Sequence, residues 1–213
     1  MSTSASPLPS ENPASTRSIE IELLALDLNT CTRCVGSQAN LEHALATLGH
    51  VLQVTGYDVQ VRTIVIESEE QARQHNFVTS PTIRMNGHDI ALETLESRCD
   101  SCTDLCGCKE GTNCRVWRYQ GQEYTEAPVG MIVDAVLREV YSGAQPLGAP
   151  PVIGDVPENL TRFFSGKEAK AASVSSCCSP KKQTTCCAPT EKAACCGPSP
   201  SASVTSATSC GCK

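Results

Sequence analysis

The pattern of apolar and polar positions divides the chain into a patterned body and two polar ends. Residues 18–142 carry periodic apolar positions and nearly all of the aromatic side chains, whereas both ends are rich in Ser, Ala, Thr and Pro. Such ends bury too little apolar surface to offset the entropy of folding. We therefore predict one folded domain over 18–142, after a disordered leader over 1–17. A linker over 143–164 and a disordered tail over 165–213 follow this domain.

The periodicity within the body predicts alternating strands and helices. The first strand is apolar on both faces, as a central strand is, and the first helix has apolar positions every three or four residues. The predicted elements are a strand over 19–28, a helix over 38–54, a strand over 57–67, a short helix over 68–75, a hairpin over 82–92 and a helix over 128–141. This βαβ-α-ββ-α order predicts a three-layer α/β fold, in which helices cover both faces of a sheet that contains a parallel βαβ unit and an antiparallel hairpin.

Composition and charge restrict the class of protein. Fifteen of the 213 residues are cysteine. The leader has neither a basic cluster nor an apolar core, so it does not look like a secretory signal, and no stretch approaches the roughly 18 apolar residues of a membrane span. We therefore expect a cytoplasmic protein whose reduced thiols serve metal or redox chemistry. The net charge of −6, without a basic patch, argues against a nucleic-acid partner.

The first candidate site is Cys31-Thr-Arg-Cys34, between the first predicted strand and the first helix. A thiol at a helix N-terminus lies near unpaired backbone N–H groups, which lower its pKa, and Arg33 adds a positive charge. The spacing allows the two sulfurs to close a small disulfide or to hold one soft ion as thiolate ligands. If the pair is catalytic, Cys31 is the attacking thiolate, exposed at the helix start, and Cys34 resolves the mixed disulfide. Two incidental loop cysteines are the alternative.

The order strand, Cys-x-x-Cys, helix, strand, helix, then a proline before a hairpin resembles the thioredoxin superfamily over residues 18–142. Residues 78–87, Val-Thr-Ser-Pro-Thr-Ile-Arg-Met-Asn-Gly, are similar to its cis-proline strand. The whole pattern, including a Cys-rich insertion, resembles a bacterial thioredoxin-like family without a settled function. The resemblance implies a cis Ser80–Pro81 bond beside the Cys pair, with the backbone next to Pro81 available to a substrate segment. The alternative is an ordinary trans proline at a strand start.

Three features depart from the superfamily pattern. No Trp precedes Cys31, and Thr-Arg replaces the usual Gly-Pro between the two cysteines, so the superfamily's redox potential does not carry over. Asp27 lies too close to Cys31 to be the buried proton acceptor of thioredoxins, and we treat it as a strand or loop residue. The resemblance therefore implies a fold and a candidate dithiol, but no substrate.

The second candidate site is a sixteen-residue Cys-rich insertion, followed by a predicted edge hairpin over 115–125. Its five cysteines are Cys99, Cys102, Cys106, Cys108 and Cys114. Their short separations suit chelation and supply enough thiolates for a tetrahedral ion, although the loop lacks the two separate Cys-x2-Cys knuckles of a zinc ribbon. Three alternatives stay open: a structural Zn or similar thiolate site, a soft-metal exchange site shared with Cys31 and Cys34, and disulfides within the loop.

The third candidate site is a nine-residue repeat in the tail, in which two adjacent cysteines precede one small residue and a proline. Together with the last two cysteines, the repeats supply eight tail thiols: Cys177, Cys178, Cys186, Cys187, Cys195, Cys196, Cys210 and Cys212. Adjacent cysteines close only a strained disulfide ring, but they chelate large thiophilic species such as As(III), Hg(II), Cd(II) or Cu(I). A tethered tail also raises the thiol concentration near Cys31 and Cys34.

The cysteines together indicate three candidate functions. The first is a thioredoxin-like protein that binds, transfers or detoxifies soft metal or metalloid ions, as in arsenic or mercury resistance. The second is a thiol–disulfide oxidoreductase that acts on protein or small-molecule disulfides and uses a thiol reductant, with Cys31, Cys34 and Pro81 as its catalytic residues. The third is a non-enzymatic metal-sequestering protein on a thioredoxin scaffold.

Overall fold

The computed structural model describes residues 17–91, 93–141 and 154–175. Within these ranges the chain forms a mixed α/β fold with two sheets and five helices. The strands are β1 Arg17–Ala25, β2 Tyr57–Val65, β3 Thr82–Met85, β4 His88–Asp89, β5 Leu95–Arg98, β6 Asn113–Tyr119 and β7 Gln122–Tyr124. The helices are α1 Thr32–Val54, α2 Glu69–Gln74, α3 Asp100–Cys106, α4 Val129–Tyr141 and α5 Glu158–Ser175. None of the helices in the described ranges is both long and apolar enough to cross a membrane.

The first sheet is mixed and has the strand order β2-β1-β3-β4. β1 is parallel to β2, with Ile19 opposite Val59, and antiparallel to β3, with Leu23 opposite Ile83. β1 is central because both of its edges are paired, and its Ile and Leu side chains are fully buried. The predicted central strand, parallel βαβ unit and antiparallel hairpin are therefore confirmed.

Helix α1 begins at Thr32, well before the start at residue 38 that the apolar pattern predicts. Its first two turns show no apolar stripe in the sequence, because their buried positions are Cys34 and Ser37. Cys31 is the N-cap residue, and its carbonyl oxygen accepts the Val35 N–H at 3.0 Å. The dithiol therefore lies directly at the start of the helix.

Two short-range sequence signals, a helix cap and a hairpin turn, correspond to the structures that they predict. The Ser68 hydroxyl accepts a hydrogen bond from the Gln71 backbone N–H at 3.2 Å and caps α2. Asn86 and Gly87 have φ angles of 49° and 82°, as a type I′ hairpin turn requires, and they join β3 to β4. Both signals act within a few residues, so the chain needs no distant contact to realise them.

The Cys-rich insertion and the residues after it form the second sheet, which has the order β5-β6-β7. α3 connects β5 to β6, and Ser97 lies opposite Cys114 in their antiparallel pairing. The Arg115 N–H of β6 donates to the Ser80 carbonyl oxygen at 2.7 Å, just before β3. The buried Arg115 guanidinium also pairs with Asp89 of β4 at 2.5 Å. These contacts fix the second sheet at the hairpin side of the first.

Helix α5 changes the predicted domain boundaries. It begins inside the predicted linker and continues past residue 165, where the composition predicts the tail. Leu160, Phe163 and Phe164 are buried in the same apolar cluster as the cysteines of the insertion, and this packing stabilises the helix. Helix α5 therefore crosses the boundary predicted at 164/165, because its apolar residues pack in a buried cluster of the body.

The chain divides into two units, residues 1–168 and 169–213. The sheets and the site described below belong to the first unit. Of the second unit, the structure describes only residues 169–175, at the end of α5. The predicted disorder of the leader and of the tail falls on residues 1–16 and 176–213, outside the described residues.

Candidate metal centre

Four buried thiols from three parts of the fold converge on one point. They are Cys31 at the start of α1, Cys99 and Cys102 at the start of α3, and Cys114 in β6. All four sulfurs lie within 4.8 Å of one another. The Cys31 sulfur is 4.0 Å from that of Cys99 and 3.5 Å from that of Cys102, and the Cys102 and Cys114 sulfurs are 3.3 Å apart.

These separations suit a single tetrahedral ion. Four thiolates around Zn at a Zn–S distance of about 2.3 Å lie about 3.8 Å from one another, a value inside the observed range. All four ligand atoms of the cluster are sulfur, with no imidazole or carboxylate among them. The four cysteines are therefore positioned to bind a metal ion, and an all-sulfur set suits soft and borderline ions.

The loop before α1 is organised by Asp27, which sequence reasoning treats only as a strand or loop residue. Its Oδ2 atom accepts backbone N–H groups from Asn29, Thr30 and Cys31 at 3.1, 2.6 and 2.8 Å. Burial raises the pKa of the Asp27 carboxyl, but these hydrogen bonds outweigh burial and hold the pKa below its usual value. The signal that could have found it is an Asp directly before a turn, where its side chain bonds to the backbone that follows.

Arg33 joins the dithiol loop to the insertion through backbone carbonyl groups. Its guanidinium donates to the carbonyl oxygens of Arg98 at 2.5 Å and Cys114 at 3.2 Å, and to the Ser97 hydroxyl at 3.0 Å. Sequence reasoning assigns Arg33 only a charge effect on the thiols. In the structure, the planar guanidinium of Arg33 also holds β5 and β6 against the start of α1, and this keeps Cys114 beside Cys31.

The four thiols ionise unequally because their hydrogen bonds within the cluster differ. Hydrogen bonds from Cys102 and Cys114 are the largest effects that lower the pKa of Cys31 far below that of a free thiol, despite burial. The same two partners lower the pKa of Cys99 to about 7. A hydrogen bond from Cys114 lowers the pKa of Cys102. The hydrogen bonds that Cys102 makes to Cys31 and Cys99 have the opposite effect and are stronger together, so the pKa of Cys102 is raised. The hydrogen bonds within the cluster therefore favour the thiolate form at Cys31 and Cys99, the two helix N-cap residues.

Cys34 is buried beside the centre but is not one of the four thiols that meet. Its sulfur lies 3.3 Å from the Ser80 hydroxyl oxygen. A hydrogen bond to Cys31 and burial raise the pKa of Cys34. The predicted ligand pair of Cys31 and Cys34 is therefore divided, with Cys31 in the centre and Cys34 against Ser80.

Two of the predicted ligands in the insertion form a disulfide instead. Cys106 and Cys108 are bonded to each other and are not among the four thiols that meet. This agrees with one of the alternatives left open for the insertion, a disulfide within the loop. Gly107 between them has a φ angle of 65°, a left-handed conformation that ends α3 and turns the two side chains toward each other. The eight predicted tail ligands lie outside the described residues.

Two expectations that concern access to the dithiol are also wrong. Cys31 is fully buried rather than exposed, because the insertion covers its sulfur with three others. The Ser80–Pro81 bond is cis, as the resemblance implies, but the backbone beside Pro81 is not available to a substrate segment. Pro81 is buried, and the Ser80 carbonyl oxygen already accepts the Arg115 N–H. The chain's own strand β6 occupies this place.

Fold and site together define a mixed α/β protein with a buried four-cysteine centre. A family model described as "Domain of unknown function (DUF2703)" matches residues 18–136, more than half of the chain. The protein therefore belongs to this family, and the matched range contains all four cysteines of the centre. No curated protein and no solved structure is similar enough to this chain to count as a match.

Proposed function

We propose that this protein binds one thiophilic metal or metalloid ion in its four-cysteine centre and holds or transfers that ion in the cell. The observation that carries the proposal is the meeting of four buried sulfurs within 4.8 Å. Four clustered thiols without a metal are costly to keep ionised in a buried site, and a bound cation compensates their charge. The ions that fit a thiolate set are Zn(II), Cd(II), Cu(I), Hg(II) and As(III), whereas Mg²⁺ and Ca²⁺ prefer oxygen ligands.

We further propose a thioredoxin-like fold as the scaffold of this centre. The sheet order β2-β1-β3-β4, with β1 and β2 parallel and β3 antiparallel, supports the relationship. A Cys-x-x-Cys motif at the start of α1 and a cis proline directly before β3 support it further. In this protein the insertion closes over the dithiol and recruits Cys31 as a ligand, which favours metal binding over exchange with external disulfides.

The tail thiols can supply an ion to the centre and can accept an ion from it. Its eight cysteines belong to the same chain, so exchange of an ion between them and the centre is intramolecular and has a high effective concentration. We propose that the tail captures soft ions and exchanges them with the centre, which distinguishes a handling protein from one with a permanent structural Zn.

Thiol–disulfide oxidoreduction is a second candidate, and one observation favours it. Cys34 is a free thiol hydrogen-bonded to Cys31, as a resolving cysteine would be. It is the weaker candidate because Cys31 is buried among three other thiols and the Ser80 carbonyl oxygen is already bonded. An oxidoreductase would lose disulfide-reducing activity on Cys31→Ser and keep it when the tail cysteines are replaced.

The test of the proposal uses the full-length chain with its eight tail cysteines replaced by serine, called here the tail-serine chain. Native mass spectrometry with Zn(II), Cd(II), Cu(I), Hg(II) and As(III) is expected to show one tightly bound ion per chain. Cys102→Ser should weaken this binding strongly, whereas the control Cys34→Ser should keep it, because Cys34 lies outside the four-sulfur set. Binding that is as tight in Cys102→Ser as in the parent chain, or no binding at all, contradicts the proposal.

A second arm tests transfer. The tail-serine chain is loaded with Cd(II) and mixed with a synthetic peptide of residues 176–213, and the Cd(II) on each species is followed by mass spectrometry. If the centre exchanges ions with the tail, the peptide should remove Cd(II) much faster than a control peptide in which serine replaces every cysteine. A permanent structural site predicts equal and slow loss with both peptides.

A further inference from the structure

The Cys106–Cys108 disulfide lies apart from the four-cysteine centre and takes no part in the proposed metal binding. It closes the turn after α3, where Cys106 is buried and Cys108 is half-buried. The surface around Cys108 is lined by Lys109, Arg162 and Ser165. We propose that this disulfide is a thiol–disulfide exchange site at which a small-molecule thiol attacks the Cys108 sulfur.

The polar groups around the two sulfurs favour one direction of bond cleavage. The Cys108 backbone N–H donates to the Cys106 sulfur at 3.2 Å, and the Thr112 hydroxyl oxygen lies 3.2 Å from the same sulfur. Both groups stabilise a thiolate at Cys106. A backbone carbonyl oxygen lies 3.5 Å from each sulfur, that of Thr103 from Cys106 and that of Arg162 from Cys108, so these contacts do not distinguish the two sulfurs. The two hydrogen-bond donors at Cys106 do distinguish them. Cys106 is therefore the better leaving group, and Cys108 is the sulfur that is attacked.

The cover over the disulfide limits the size of the attacking thiol. Helix α5 approaches so closely that a Cβ atom on Gly166 would lie 2.6 Å from the Cys108 sulfur. The surface beside Cys108 carries the exposed Lys109, whose ammonium attracts a thiolate or a carboxylate, and the exposed Glu110, whose carboxylate pairs with Arg162. This suits a short anionic thiol of the glutathione class better than a thiol on the surface of a folded protein.

The exchange is balanced in two steps. A thiolate of the small molecule attacks the Cys108 sulfur, the disulfide bond breaks, and its electron pair passes to Cys106, which leaves a mixed disulfide on Cys108. A second thiolate attacks the small-molecule sulfur of that mixed disulfide and releases Cys108 as a thiolate. Two small thiols are thereby oxidised to one disulfide, Cys106 and Cys108 are reduced, and the protons of the two thiols go to the two protein thiolates. The reverse reaction oxidises the protein with the small disulfide.

The first test identifies the sulfur that a small thiol attacks, in the tail-serine chain with its Cys106–Cys108 disulfide intact. The Zn(II)-loaded chain is exposed briefly to reduced glutathione, free thiols are blocked with iodoacetamide, and the chain is digested with trypsin. The peptide of residues 99–109 is then sequenced by mass spectrometry. We expect at least about tenfold more glutathione on Cys108 than on Cys106 in this peptide. Equal amounts, the opposite order, or no adduct overturn the proposal.

The second test concerns Thr112 as a positioning residue for the leaving thiolate. Reduction of the disulfide by reduced glutathione should be several times slower in Thr112→Val and unchanged in Thr112→Ser, which restores the hydroxyl. Zn(II) content and far-UV circular dichroism identify any variant that is misfolded. If Thr112→Ser is as slow as Thr112→Val, or if neither variant differs from the parent chain, the proposed direction of cleavage is wrong.

Discussion

The sulfur of Cys102 lies 3.5 Å from the sulfur of Cys31, although 71 residues separate them in the chain. One belongs to the dithiol at the start of α1 and the other to the Cys-rich insertion, which the sequence presents as two separate sites. Their contact merges the two sites into one centre with Cys99 and Cys114. The function of the dithiol is therefore set by the insertion that covers it.

Metal should stabilise the folded chain through this centre. Zn(II) at about 100 times its Kd is expected to add about 2.7 kcal/mol to the free energy of unfolding of the tail-serine chain, because the ion binds the folded state. Urea unfolding with Zn(II) and with a chelator measures this difference. Cys102→Ser should show almost no gain, and Cys34→Ser should show the full gain. Equal gains in both variants would place the ion elsewhere.

Asp27 should contribute to stability and to metal affinity by holding the loop of Cys31. Asp27→Asn is expected to cost about 1–2 kcal/mol at pH 7, because a neutral amide replaces a carboxylate that accepts several N–H groups. Metal affinity should fall about 10- to 100-fold, as for other groups that orient ligands. Urea unfolding and metal competition measure these effects, and Asp58→Asn on the exposed face of β2 is the control.

The effect of Asp27 also has a pH dependence with a definite sign. Its pKa in the folded chain lies below the 3.8 of a free Asp side chain, so its stabilising contribution is fully present above that value and is lost as the pH falls through the folded pKa. The stability difference between the metal-free parent and Asp27→Asn should therefore be constant at neutral pH and shrink in acid. A difference that grows as the pH falls below 4 would contradict this account.

Arg33 should hold the insertion against α1 by geometry as well as by charge. Arg33→Lys keeps the charge but cannot donate to the Arg98 and Cys114 carbonyl oxygens together, and we expect a loss of about 1–3 kcal/mol. Hydrogen exchange in β5 and β6 should increase in the same variant. Arg73→Lys in α2, an exposed surface pair, should change stability by less than about 0.5 kcal/mol. Equal effects of the two substitutions would show that charge alone matters.

Gly166 allows α5 to pack closely against the turn after α3. An alanine Cβ there would lie 2.6 Å from the Cys108 sulfur and 2.9 Å from the Cys106 carbonyl oxygen. Gly166→Ala should therefore destabilise the chain by about 1–3 kcal/mol, although alanine favours a helix. The matched control is Gly49→Ala in α1, where nothing lies within 4 Å and a gain of about 0.5–1 kcal/mol is expected. Stabilisation by both substitutions would mean that α5 does not pack as described.

Local and periodic signals predict most of the first sheet and its helices. The apolar run of β1, the Ser68 cap and the Asn86-Gly87 turn each depend on neighbours in sequence, and all three form as expected. The start of α1 is missed because Cys34 and Ser37 fill buried positions that usually hold apolar residues. Helix α5 is not predicted as a helix because its few apolar residues are stabilised by a buried cluster of residues that are distant in the sequence.

The candidate site is predicted in part. Residue spacing identifies the cysteines that can bind metal, but not which of them meet, because that depends on how the insertion folds over α1. The spacing of Cys106 and Cys108 is as compatible with chelation as with a disulfide, and the sequence does not show that the left-handed Gly107 lies in the turn between the two bonded cysteines. Arg33 and Asp27 are missed as positioning residues, since their partners are backbone groups that the sequence does not display.

The most direct test of the four-cysteine centre is X-ray absorption spectroscopy of the Zn(II)-loaded tail-serine chain. We expect four sulfur neighbours at about 2.3 Å and no nitrogen or oxygen ligand. In Cys31→Ser one sulfur should be replaced by a light atom or the Zn(II) should be lost, whereas in Cys34→Ser all four sulfurs should remain. Mixed sulfur and nitrogen coordination in the parent chain, or four sulfurs that persist in Cys31→Ser, would show that these four cysteines do not form the metal centre.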